Sequence, residues 1–179
     1  MNQFLFVILF FVPAGISNSI PPVAKKIPFL REWKTPIDLG MEVRGKRMLG
    51  QNKTWRGLLL GSIGGGFAAL LLYPFLVSRN STILNVSPES FFVIGFLLGA
   101  GALLGDSVES FFKRQLGKPS GSSWLFFDQL DYIVGAILFS LPFVRFSIAQ
   151  YAVMVVTYFS LHILISYISF KMGIKEQPI

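Results

Sequence analysis

The chain has 179 residues, 53% hydrophobic and only 14% charged, with a formal charge of +7 and no cysteine. That composition points to a polytopic membrane protein and leaves no room for a separate soluble catalytic domain. Disulfides, thiolate nucleophiles and cysteine-ligated metals are excluded, and the positive charge fits loops facing anionic lipid head groups rather than nucleic acid.

Five apolar stretches approach the roughly 20 residues that a helix needs to cross the hydrocarbon. They cover residues 4–23, 54–76, 88–105, 125–144 and 149–170. The pattern predicts an all-α integral membrane protein, one domain over residues 1–179 folded as a bundle of five transmembrane helices. No Lys or Arg precedes the first stretch, whereas Lys25 and Lys26 follow it. A cleaved signal peptide carries its charge first, so this stretch is predicted to stay as a helix, bent by Pro13 and Gly15. In the second and third stretches Gly57, Gly61, Gly65 and Gly95, Gly99 recur at helical spacing. Such stripes let backbones approach closely, or line a groove for a lipid chain. Ser87-Pro88 reads as an N-cap followed by the first helical residue. His162 stands alone in the last stretch and is predicted to pack or hydrogen-bond inside the bundle. Asn80-Ser81-Thr82 and Asn85-Val86-Ser87 match the glycosylation pattern, but so does Asn52-Lys53-Thr54 on the opposite side.

Orientation follows from Lys and Arg. Lys25, Lys26, Arg31, Lys34, Arg44, Lys46, Arg47, Lys53 and Arg56 belong to the first connection, Lys113, Arg114 and Lys118 to the third, and Lys171 and Lys175 to the tail. Arg79 and Arg145 are the two on the other side, against fourteen. The positive-inside rule therefore predicts an outside N-terminus, a cytoplasmic C-terminus and two polar cytoplasmic connections in the cell membrane.

Those two connections carry the chemistry. Gly105-Asp106-Ser107-Val108-Glu109-Ser110-Phe111-Phe112-Lys113-Arg114 follows the third stretch, and Asp128-Gln129-Leu130-Asp131 opens the fourth. Counting about 20 residues inward from Pro88, and backward from Val144, sets Asp106, Asp128 and Asp131 at a similar recessed depth. Charge at that depth is expensive and marks a functional site. If the helix continues past residue 105, Asp106, Ser110, Lys113 and Arg114 share a face, and Phe111 and Phe112 point away. Asp106 with Asp128 or Asp131 offers the hard oxygens that Mg2+ prefers. Lys113, Arg114 and Lys118 offer cations for phosphates. Glu109 is spaced from Lys113 as an ordinary i,i+4 surface pair.

The second constellation is Gly50-Gln51-Asn52-Lys53-Thr54-Trp55-Arg56-Gly57, entering the second stretch. A helix N-terminus flanked by Asn52, Lys53, Thr54 and Arg56 suits an anion, although Lys, Trp and Arg also make an interfacial anchor. The spacing is not that of a Walker loop.

Together these stretches resemble the CTP-dependent phosphatidate cytidylyltransferase family. Its GDxxxSxxKR signature stands here as Gly105–Arg114, with Lys118 following, and its KTxxG element as Lys53–Gly57. The bacterial His-Gly-Gly before Asp-Arg-x-Asp is replaced by Trp124-Leu125-Phe126-Phe127 before Asp128–Asp131. That difference, Lys118-Pro119 in place of Lys-Asp, and the short chain resemble the archaeal branch, the CDP-archaeol synthases. The resemblance implies CTP and a prenyl ether-lipid phosphate as substrates and Mg2+ as cofactor. It further implies Asp106, Lys113 and Asp128 as catalytic residues, and Asp106, Asp128 and Asp131 as metal ligands. Asn52, Lys53, Thr54, Arg56, Ser110, Arg114 and Lys118 would then hold phosphates. The alternatives are a CTP-dependent polyprenol or lipid kinase and a non-catalytic lipid or ion carrier.

Overall fold

The computed structural model describes residues 2–77 and 86–172. Arg79, Lys175, the pattern at residues 80–82 and Asn85 lie outside the described residues. Among those described, the helices are α1 (Gln3–Ala24), α2 (Pro28–Arg31), α3 (Trp55–Leu76), α4 (Pro88–Gln115), α5 (Phe127–Ser140) and α6 (Ile148–Lys171). Strands β1 (Glu42–Val43) and β2 (Lys46–Arg47) form a small antiparallel hairpin, with Glu42 opposite Arg47 and Val43 opposite Lys46.

Side-chain caps start the four long helices. Asn2 accepts from the Phe4 amide at 2.9 Å, Thr54 from Gly57 at 3.2 Å and Ser87 from Ser90 at 3.3 Å. Ser147 and Gln150 make a reciprocal capping box. The Ser87-Pro88 start is thus where the sequence puts it. α1, α3, α4 and α6 are each long and apolar enough to cross a membrane.

Two of the five expected stretches differ in extent. α4 does not stop at Gly105 but runs ten residues further, to Gln115. The polar stretch continues the helix because it alternates at helical spacing and lacks Gly or Pro until Gly117. The stretch expected at 125–144 is helical over 14 residues only. At 1.5 Å per residue α5 is about 21 Å long, shorter than the hydrocarbon. Phe126, at φ 70°, turns the chain into α5, and residues 141–143 form a turn after it.

α4 packs against α1, α3 and α5. A β-carbon on Gly65 would stand 2.7 Å from the Gly95 carbonyl oxygen, and one on Gly95 2.6 Å from that of Gly65. Gly65 and Gly95 therefore let α3 pack closely on α4, while Gly61 meets the Ser17 carbonyl of α1 and Gly57 faces Pro21 of α1. A second glycine seam joins α4 to α5, where a β-carbon on Gly101 would stand 2.6 Å from the Gly135 carbonyl oxygen. Phe6, Phe10 and Phe11 of α1 pack with Phe91 and Leu98 of α4 at the centre of the apolar core. Two tyrosines tie α6 to its neighbours: Tyr132 donates to the Tyr158 carbonyl at 3.1 Å, and Tyr158 to that of Ile8 at 2.8 Å.

The connection between α2 and α3 folds around Asp38, which is fully buried. Its carboxylate accepts from the amides of Gly40 (3.1 Å), Leu49 (2.9 Å) and Gly50 (3.2 Å), and from Arg47 at 3.1 Å. Burial alone would raise the Asp38 carboxyl, but these donors outweigh it and hold it down at about 2. The clamp sets Gly50, at φ 99°, and the Asn52-Lys53 pair ahead of α3.

Candidate active site

Asp106, Glu109, Ser110 and Lys113 lie three and four residues apart, so α4 presents them on one face. The glycine seam brings α5 against that face. A β-carbon on Gly105 would stand 3.0 Å from the Asp131 carbonyl carbon, so Asp131 sits directly across from Asp106. One carboxylate oxygen from each of Asp106, Glu109 and Asp131 falls within 4.8 Å of the others.

Two lysines border this trio. Lys53 donates to Asp106 at 2.5 Å, and Lys113 lies 3.0 Å from Glu109 while also pairing with Asp128. Asp128 accepts from the Trp124 amide as well, at 2.9 Å. Four carboxylates thus meet two ammonium groups, and with Arg114 also lining the cleft the site keeps an excess of negative charge when all are ionised. Such an arrangement is costly unless a cation neutralises it. Hard oxygen donors and a surplus of negative charge fit a magnesium ion.

The predicted site residues mostly converge. Asn52, Lys53, Asp106, Ser110, Lys113, Arg114, Asp128 and Asp131 line one cleft of about 230 Å³, together with Ser120 and His162. Asn52 donates to Ser120 at 3.2 Å, and Arg114 to the Pro119 carbonyl at 2.9 Å, which folds the loop after α4 over the cleft. A neighbouring cleft of about 750 Å³ shares Asn18, Asn52, Lys53 and Asp106 with the first, so the two are contiguous. Thr54 and Arg56 line the larger one. The Thr54 hydroxyl is engaged as the α3 cap, and the buried Arg56 donates to the Leu30 carbonyl at 2.8 Å. Lys118 stands outside both clefts, with its ammonium 5.2 Å from the Trp124 ring centre. Asp128 stands outside the oxygen trio, occupied by Lys113 and the Trp124 amide.

One expectation needs correcting. Glu109 and Lys113 do form an i,i+4 pair, but not on the surface: their side chains are 5% and 10% exposed. α5 packs over that face and encloses them. Glu109 lines the cleft with Asp106 and Asp131, which the spacing alone did not single out, although it lies one helical turn from both Asp106 and Lys113. Asp38 was also missed, because nothing in an isolated loop aspartate announces that four donors converge on it.

All of residues 1–179 match the CDP-archaeol synthase family, described as CarS-like. The chain belongs to that family. A CDP-archaeol synthase from Archaeoglobus fulgidus is 39% identical over 150 residues, covering 80% of this chain and 84% of the relative. One from Pyrococcus horikoshii is 33% identical over 99% of this chain and 98% of its own length. The CDP-archaeol synthase of Sulfolobus acidocaldarius is 31% identical over 99% of both. A solved structure described as an intramembrane enzyme for archaeal membrane lipids biosynthesis superposes with a TM-score of 0.75 at 30% identity. It covers 91% of this chain and 94% of its own. The family resemblance drawn from Lys53–Gly57 and Gly105–Arg114 therefore holds, and for the archaeal CDP-archaeol synthase branch.

Proposed function

We propose that the paired clefts join CTP to an unsaturated archaeal ether-lipid phosphate, 2,3-bis-O-geranylgeranylglycerol 1-phosphate. The products are CDP-archaeol and pyrophosphate, and Asp106, Glu109 and Asp131 hold the magnesium ion. Family membership carries the reaction: the protein is a membrane cytidylyltransferase of archaeal lipid biosynthesis. The observation that supports the metal assignment is the meeting of three carboxylates from α4 and α5 beside Lys53 and Lys113.

An oxygen of the lipid phosphate attacks the α-phosphorus of CTP. The bond from that phosphorus to the bridging oxygen breaks, and pyrophosphate leaves with the electron pair. The attacking phosphate is already ionised, so no general base is required. When bound, Mg2+ supplies neutralisation of charge on the phosphate oxygens. Lys53 and Lys113 hold positive charge at the two ends of the acidic trio, where the phosphates of both substrates must approach. Arg114, Ser110 and Asn52 add donors along the cleft wall. We assign Asp128 to positioning Lys113, because its carboxylate already holds that ammonium and the Trp124 amide.

The products separate this reading from a lipid kinase. With α-labelled CTP and the purified protein in nanodiscs, the label enters the lipid fraction with one pyrophosphate per turnover. Chelation with EDTA stops the reaction and Mg2+ restores it. Release of labelled CDP would instead mark a kinase, and turnover that survives chelation would remove the metal.

We further infer five crossings, α5 being a short one, with an outside N-terminus, a cytoplasmic C-terminus and a cytoplasmic cleft. The Lys and Arg asymmetry supports this orientation. In a chain without cysteine, single Lys26→Cys and Arg145→Cys variants test it. An impermeant maleimide added outside intact cells is expected to label residue 145 and to spare residue 26, and the reverse pattern would invert the topology.

A further inference from the structure

We propose that residues 25–34 are an interfacial anchor that docks on the anionic lipid surface beside the larger cleft and presents lipid phosphates to its rim. The docking stands by itself, whereas the delivery of substrate rests on the cytidylyltransferase reading above.

α2 buries none of its four residues. Phe29 is 88% exposed, and Ile27 and Trp33 beside it are also exposed. Among the described residues these large apolar groups stay open to the surroundings, and a soluble loop gains nothing by displaying them to water. The segment follows directly on the end of α1, a helix long and apolar enough to cross a membrane, so it lies at the level where the bilayer ends. Lys25, Lys26, Arg31 and Lys34 are interleaved with the apolar groups and are themselves exposed. Glu32 is the single acid among residues 25–34. Cations beside Phe, Ile and Trp are the chemistry that binds anionic head groups while the apolar side chains enter the acyl boundary.

The same cations connect the anchor to the site. Lys25, Arg31 and Lys34 line the 750 Å³ cleft that shares Lys53 and Asp106 with the acidic trio. Arg56, buried in the wall of that cleft, donates to the Leu30 carbonyl and so ties α2 to the start of α3. An anchor seated in the head groups would therefore hold the rim of the cleft at the depth of lipid phosphates, rather than above them.

Because the chain has no cysteine, Phe29→Cys gives a unique position for a spin label in the full-length protein. Nanodiscs of mixed phosphatidylglycerol and phosphatidylcholine are the probe membrane, and Glu42→Cys on β1 is the water-facing comparison. The label at 29 is expected to be accessible to oxygen and shielded from a water-soluble nickel chelate, with the opposite at 42. A label at 29 that sees the nickel chelate, or one broadened by a label on a second copy, overturns the docking. In a kinetic arm, Ile27→Ser/Phe29→Ser is expected to raise KM for vesicle-borne lipid phosphate by roughly 5-fold or more, with kcat and KM for CTP unchanged. An unchanged lipid KM overturns the delivery role. The label result needs no turnover, so it stands or falls separately from the assignment of the reaction.

Discussion

Glu109→Gln is expected to lower CDP-archaeol formation by about 10²-fold or more and to raise the Mg2+ concentration needed for half-maximal rate. The substitution keeps the volume of a buried side chain and removes its charge. Lys113 retains Asp128 as a partner, so the helix pair survives and the loss reports the site rather than the fold. Asp106→Asn and Asp131→Asn are expected to behave alike, because each withdraws one oxygen donor from the same trio. Asp128→Asn separates the roles. It loosens Lys113 and lowers kcat, yet leaves the Mg2+ requirement near that of the parent, since its carboxylate faces the lysine and the Trp124 amide. Rates measured across a Mg2+ titration for the four variants decide the matter. A Glu109→Gln protein with parental rate and metal dependence would exclude Glu109 from the metal set, and a shifted Mg2+ requirement in Asp128→Asn would admit Asp128 to it.

The residues that pair within one helical turn were the legible part of this site. Asp106, Ser110 and Lys113 announce a common face by spacing, and Ser87-Pro88 announces where their helix begins. The four long helices follow in the same way from apolar length and caps. What spacing could not supply was the partner for that face. Whether Asp128 or Asp131 meets Asp106 depends on the register of α5 against α4, and that register is fixed by Gly101, Gly105 and Gly135. Of these, Gly101 and Gly135 look unremarkable beside the more regular stripes of Gly57, Gly61, Gly65 and Gly95, Gly99, and Gly105 stands out only as the first residue of the GDxxxSxxKR stretch. The burial of Glu109 is a consequence of the same contact, so it was hidden for the same reason. Asp38 belongs to a third kind, in which a loop carboxylate gathers donors from residues 40, 47, 49 and 50. No periodicity reports such a convergence.

Because that seam sets the register, Gly105→Ala is expected to cost about as much activity as removing a carboxylate, although alanine is the better helix former. The added carbon would run into the Asp131 carbonyl oxygen and stand 3.0 Å from its carbon and 3.2 Å from the Gly135 α-carbon, with backbone rather than a movable side chain in its way. α5 must therefore shift outward, and the residue it carries away from Asp106 and Glu109 is Asp131. A misplacement of about 1 Å at a reacting centre costs on the order of 10²-fold, whereas overpacking of this kind destabilises by only about 1–3 kcal/mol. The variant should accordingly remain folded in nanodiscs, with a modest fall in Tm, while its turnover falls by about 10²-fold and its Mg2+ requirement rises. Gly121→Ala offers the contrast, since nothing lies within 4 Å of the added carbon there and only its φ of 85° resists the change. Its effect is expected to fall on the loop, without a shift in the Mg2+ requirement. If Gly105→Ala instead keeps the parental rate, α4 and α5 do not hold the acidic trio together through this seam.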